Sequence, residues 1–173
     1  MNFDTIFERV IDHEAGFTLN PKDPGNWSGG KVNVGELKGT KYGIAANTYP
    51  DLDIKNLTVK QAKAIYFEDW FSALGMDRFS PAMQFQLFDA AFNHGIRNAS
   101  KIYQRSVGVN DDGIIGPKTL KAASLLSEDD RLLRFLAYRL KFYTSLSSFD
   151  DFGRGWSNRV ADNLLHASND NQS

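Results

Sequence analysis

Ser80-Pro81-Ala82-Met83-Gln84-Phe85-Gln86-Leu87-Phe88-Asp89-Ala90-Ala91-Phe92-Asn93-His94-Gly95 marks the middle of the chain as helical. A serine oxygen at Ser80 can accept one of the orphan N–H groups of a first helical turn. Pro81 suits the first helical position, where its missing N–H costs nothing. Met83, Leu87, Phe88, Ala91 and Phe92 then recur at helical spacing, and Gly95 is a natural stop. A segment so apolar predicts a helix buried among other helices.

Outward from it the same period returns. Phe3, Ile6, Phe7, Val10 and Ile11 predict a helix over residues 3–15, with Asp4, Glu8, Arg9 and Asp12 on its other side and Gly16 as its stop. Thr58-Val59-Lys60-Gln61 has the form of a capping box, and Ala62, Ile65 and Tyr66 carry that helix to about Phe71. A shorter helix is expected over 98–107, and the turn Asp111 to Pro117 leads into another through Leu126. Ser127-Glu128-Asp129-Asp130 sets a cap and three acids at the start of a long helix packed through Leu132, Leu133, Leu136, Leu140 and Tyr143. The last helix is predicted from about Asp151 to His166, with a polar, frayed end from Asn169. Only residues 17–42 break the pattern: Asp23-Pro24-Gly25 and Gly29-Gly30 predict an irregular loop or short β-hairpin, and so long a loop is commonly functional. The expected fold is mainly α, with one loop or β region after the first helix.

The 173 residues suffice for one domain, or for one lobe carrying a smaller helical lobe. A net charge of −1 offers no basic stripe for nucleic acid. Without cysteine there is no disulfide, thiol nucleophile or thiolate metal site. No apolar run approaches the roughly 20 residues of a spanning helix, so stable membrane insertion is not expected. Met1-Asn2-Phe3-Asp4 has no signal-peptide pattern, from which we expect synthesis in a cytoplasm.

Glu14 lies four residues after Val10 and three after Ile11, on the apolar stripe of the first helix. Burial raises a carboxyl pKa, which is what an acid needs to keep its proton for a leaving oxygen near neutral pH. The same position also suits a structural pairing with a basic residue near the helix end. Asp23, nine positions later, is both a second candidate carboxylate and an ordinary turn residue before Pro-Gly. Thr40 carries no signal alone. Asp111-Asp112-Gly113 lacks the alternating oxygens and terminal Glu of a calcium loop. His13, His94 and His166 lack the spacing of a zinc hydrolase. No metal or other cofactor is expected.

Glu14-Ala15-Gly16-Phe17, Pro21-Lys22-Asp23-Pro24-Gly25 and Thr40-Lys41-Tyr42-Gly43-Ile44 together resemble the amino-terminal signature of glycoside hydrolase family 108, a family of phage endolysins and bacterial muramidases. Ala15 and Phe17 depart from the usual Glu-Gly-Gly-Tyr, and the segment between Gly25 and Thr40 is longer than the family pattern. The resemblance implies a lysozyme-like α+β fold with Glu14 as the catalytic residue. The same set is similar to the Glu, eight residues, Asp and downstream Thr of many phage lysozymes. That likeness implies that Glu14 protonates the glycosidic oxygen, while Asp23 and Thr40 hold a water or stabilise developing charge. Leu87 to Gly95, Ala99, Tyr103-Gln104 and Asp112 to Leu120 are similar to the peptidoglycan-binding region that accompanies the family, and Phe152 to Val160 resembles its closing segment.

The implied organisation is a catalytic lobe over 1–78, a helical peptidoglycan-binding lobe over 79–167 packed on it as one compact unit, and a polar tail over 168–173. The implied activity is hydrolysis of the β-1,4 bond between N-acetylmuramic acid and N-acetylglucosamine by a monomer. Made in a cytoplasm, the enzyme would reach the periplasm or wall through a holin-type pore or another release route. Asn93 and His94 either face a glycan or cap their helix, and Gln104 is a candidate of the same kind. Among Trp27, Tyr42, Tyr49, Tyr66 and Trp70, aromatic rings able to stack on sugars, Trp27 in the Gly-rich loop is the first choice as ligand-facing, with Tyr42 and Tyr66 also candidates. Lytic transglycosylase or chitinase-like chemistry at the same acid is an alternative, and so is a non-catalytic wall-binding module.

Overall fold

The computed structural model describes residues 2–11 and 16–171. Glu14, with the end of the predicted first helix, lies outside the described residues. Seven α-helices and one three-stranded sheet are present among the described residues: α1 (Phe3–Ile11), β1 (Phe17–Thr18), β2 (Thr40–Lys41), β3 (Ile44–Ala45), α2 (Val59–Tyr66), α3 (Pro81–His94), α4 (Ile96–Ser106), α5 (Pro117–Ala123), α6 (Glu128–Thr144) and α7 (Phe149–Asp170). The chain forms two compact units, Phe3–Asp69 and one comprising Trp70–Ser173 and the first two residues. The mainly α fold with a small β region after the first helix is the one expected.

In the first unit α1 buries Ile6, Phe7, Val10 and Ile11, the stripe read from the sequence. The Phe7 ring lies 6.0 Å from that of Tyr66 on α2, and Lys63 of α2 pairs with Asp4 of α1 at 2.5 Å. Thr58 and Gln61 form the expected capping box. The helix then ends early: Phe67–Ser72 winds as a π-helical turn where α-helix was predicted to Phe71. The segment between α1 and α2 folds as an antiparallel sheet of order β1-β2-β3. Phe17 faces Lys41 and Thr18 faces Thr40 across β1 and β2, while Thr40 faces Ala45 and Lys41 faces Ile44 across β2 and β3. Thr40 therefore sits on the central strand.

In the second unit α3 is the interior helix. Ser80 accepts from the Met83 N–H, Pro81 occupies the first turn, and every residue from Phe85 to Ala91 is buried. It packs against α4, α6 and α7. Phe85 and Ala90, which the sequence spacing did not single out, are buried too, because neighbours lie on several sides rather than one. Helix α7 runs on to Asp170, four residues past the expected end at His166. Ala167 is still packed there, and its carbonyl takes the Asn171 N–H.

Candidate active site

The site is assembled by the β2–β3 hairpin and the turn after Asp23. Tyr42 and Gly43 link the two strands with φ of 52° and 75°. A two-residue hairpin with both residues left-handed matches the twist of paired strands, and glycine fills such positions without strain. Tyr42 does not: a residue with a Cβ there costs roughly 1–2 kcal/mol. Tyr66 donates its hydroxyl to the Tyr42 carbonyl at 3.0 Å, a tie that holds the strained residue. Gly39, with φ of 84°, precedes Thr40, and a Cβ there would lie 2.4 Å from the Thr18 carbonyl oxygen. The chain can approach β1 this closely only through glycine.

Asp23 caps the short 3-10 turn Pro24–Asn26: its Oδ1 accepts from the Gly25 N–H at 2.8 Å. Its Oδ2 accepts from Asn26 Nδ2 at 2.7 Å. The same Nδ2 donates to Thr40 Oγ1 at 3.4 Å, and Asn26 Oδ1 accepts from the Asn20 N–H at 3.1 Å. Asn26 is 1% exposed, whereas Asp23 stays at the surface with both carboxylate oxygens directed. Two residues taken from different parts of the sequence thus share one amide. Sequence reasoning missed Asn26. The available signal was its place three residues after Asp23 at the end of a tight turn, where a side chain can reach back to the cap.

The inserted segment between Gly25 and Thr40 folds back on itself. Ser28 and Glu36 exchange two hydrogen bonds, the Gly29 N–H donates to the Val34 carbonyl, and Trp27 and Leu37 form a β-bridge. The Lys38 and Gly39 N–H groups then close on the Asn26 carbonyl at 2.9 and 3.0 Å, which returns the chain to Thr40. Trp27 is half-buried and donates its indole N–H to the Pro21 carbonyl at 2.9 Å. Tyr42 is half-buried, with Lys41 Nζ 5.4 Å from its ring. Tyr66 is 1% exposed, so its ring packs in the core and its hydroxyl serves the Tyr42 turn. Beside β1 a cavity of about 340 Å³ is lined by Phe17, Leu19, Leu37, Lys38, Leu52 and Ile54.

Asn93, His94 and Gln104 belong to the second unit. Asn93 is exposed at the end of α3 and donates to the Asp89 carbonyl at 2.7 Å. His94 accepts at Nε2 from Arg139 Nε at 3.3 Å and packs against the rings of Phe142 and Tyr143. Burial, with Arg139 beside it, brings its pKa down to about 3. Gln104 is buried and ties a loop together: its Nε2 donates to Asp112 Oδ1 at 2.8 Å and to the Ile114 carbonyl at 3.0 Å, and its Oε1 accepts from the Gly113 N–H at 2.7 Å. Asp89 forms a further buried cluster, pairing with Arg139 at 2.5 Å and Arg159 at 2.8 Å and accepting from Asn163 at 2.8 Å. Burial alone would push its carboxyl up, but the two guanidinium groups and Asn163 hold it below the ordinary range. Among the described residues no group of His, Asp or Glu is arranged to hold a metal ion, and no helix is long and apolar enough to cross a membrane.

The family model for glycosyl hydrolase 108 matches residues 7–95, slightly more than half of the chain. The chain belongs to the glycosyl hydrolase 108 family. A second model, the predicted peptidoglycan domain, matches residues 98–161 of this family member. The chain is similar in structure to SagA of Brucella abortus, with a TM-score of 0.81 and 28% identity over 99% of this chain and 96% of that one. No curated protein matches it. The two matched regions make it a glycoside hydrolase acting on peptidoglycan. The first match extends through α3, which belongs to the second compact unit.

Proposed function

We propose that this glycosyl hydrolase 108 member is an N-acetylmuramidase, which hydrolyses the β-1,4 bond between N-acetylmuramic acid and N-acetylglucosamine with Glu14 as general acid. Glu14 gives its proton to the glycosidic oxygen as the bond to the muramic C1 breaks. Asp23 and Thr40 hold the water that adds to C1, or steady the positive charge that develops on the sugar ring. The observation that supports this reading best is the joining of Asp23 and Thr40 through one buried amide, within the region the family model covers. A directed carboxylate beside a hydroxyl is what a water-holding pair requires.

The test is Glu14→Gln, which keeps the shape of the side chain and removes the acid. Purified wall should be cleared by the wild type and left intact by the variant, with equal wall binding and equal thermal melting. Mass spectrometry of the fragments should find reducing muramic ends. Equal clearing by both proteins would take Glu14 out of its role, and anhydro-muramic ends would replace hydrolysis by a transglycosylase reaction.

A further inference from the structure

We infer that Asn26 is the positioning residue of this site, a buried amide that makes Asp23 and Thr40 one unit although neither is its neighbour in the catalytic signature. The inference rests on the proposed roles of Asp23 and Thr40 and adds what holds them. A primary amide has two N–H donors and a carbonyl acceptor. Asn26 Nδ2 reaches Asp23 Oδ2 at 2.7 Å and Thr40 Oγ1 at 3.4 Å, while its Oδ1 takes the Asn20 N–H at 3.1 Å. Its own carbonyl takes the N–H groups of Lys38 and Gly39, the last two residues before Thr40. One residue therefore fixes the turn that carries the carboxylate and the entry of the strand that carries the hydroxyl.

The chemistry explains why this position needs an amide. Asp23 is at the surface on a three-residue turn, and the Gly25 N–H restrains only its Oδ1. The second restraint, on Oδ2, comes from Asn26 and fixes the plane of the carboxylate. An apolar residue in its place would leave the Asn20 N–H without its acceptor and free Asp23 to turn. An aspartate would keep the shape and the acceptor but set a carboxylate against a carboxylate. Because Asn26 is 1% exposed, it acts on the reaction through its two partners and not by touching the glycan.

The experiment measures turnover on purified peptidoglycan for Asn26→Ala in two backgrounds, the otherwise natural chain and the Asp23→Ala/Thr40→Ala double variant, at a temperature well below each melting point. In the natural background kcat should fall on the order of 10- to 100-fold, since displacement of a reacting group by about 1 Å costs up to this much, with KM little changed. In the double-variant background the same substitution should cost nothing further, because there is no pair left to position. A residue with only a structural role would lower activity by the same factor in both. Equal factors, or an Asn26→Ala enzyme as fast as the wild type, would overturn the inference. Should Asn26→Ala fail to fold, Asn26→Asp, which retains the acceptor for Asn20 and loses both donors, runs through the same cycle. A double variant as active as the wild type would instead sink the proposed roles of Asp23 and Thr40, a result separate from failure of the positioning role alone.

Discussion

Lowering the pH from 7 to 5 should destabilise the folded protein through His94 in particular. His94 lies at the end of α3 with Arg139 Nε donating to its Nε2 at 3.3 Å, so a proton on that nitrogen would face a donor and a fixed positive charge. Burial, followed by the Arg139 charge, holds its pKa at about 3, against 6.5 for an ordinary histidine. Above pH 6.5 the ring is neutral in both folded and unfolded chains and contributes no pH dependence. Below it the unfolded chain takes up a proton that the folded chain refuses, so stability falls with pH until the folded pKa is reached. Each pH unit in that window costs about 1.4 kcal/mol, which makes the loss between pH 7 and 5 about 2 kcal/mol. Asp89, whose pKa is lowered by Arg139 and Arg159 against the effect of burial, loses its contribution only at pH values below the ordinary carboxylate range, outside this window. Urea unfolding of the wild type and His94→Gln at both pH values measures the effect, glutamine retaining an acceptor for Arg139 without titrating. The wild type should lose about 2 kcal/mol more than the variant over that interval. Parallel losses, or an NMR titration of His94 with a midpoint near 6.5, would show that its surroundings do not keep the ring neutral.

Gly39→Ala should lower stability by about 2 kcal/mol or more, because the left-handed backbone penalises a Cβ and the Thr18 carbonyl occupies its space. A thermal melt unchanged from wild type would show that β1 and β2 can part there at no cost. Asp112→Ala should lower the melting temperature, because the Gln104 amide and the Ile114 N–H both lose their acceptor at Oδ1. Turnover per folded molecule should be unchanged, as read from activity normalised to the folded fraction in circular dichroism.

The helices were legible because apolar residues at period 3.6 report one buried face, and caps report local geometry. Ser80-Pro81, the Thr58–Gln61 capping box and Ser127 with its three acids all lie where helices begin. Helix ends were less legible: the π-helical turn Phe67–Ser72 and the extension of α7 to Asp170 have no local signal comparable to a cap. The sheet was visible only as a break in periodicity, since its strands are two residues each, too short for an alternating pattern to register.

For the site, the sequence supplied candidates only as a set: Glu14, Asp23 and Thr40 stand out through their resemblance to the family signature, whereas locally Asp23 reads as a turn residue before Pro-Gly and Thr40 carries no signal alone. Turn signals of this kind depend on neighbours a few positions apart, and the chain carries them before it folds. Tertiary structure alone decided that Asn26 is buried and joins Asp23 to Thr40, that Tyr66 holds the strained Tyr42 turn, and that His94 and Gln104 are engaged by Arg139 and Asp112. The bonds from Asn26 to Thr40, from Tyr66 to Tyr42 and from Arg139 to His94 join residues 14, 24 and 45 positions apart, and packing is what brings donor and acceptor together.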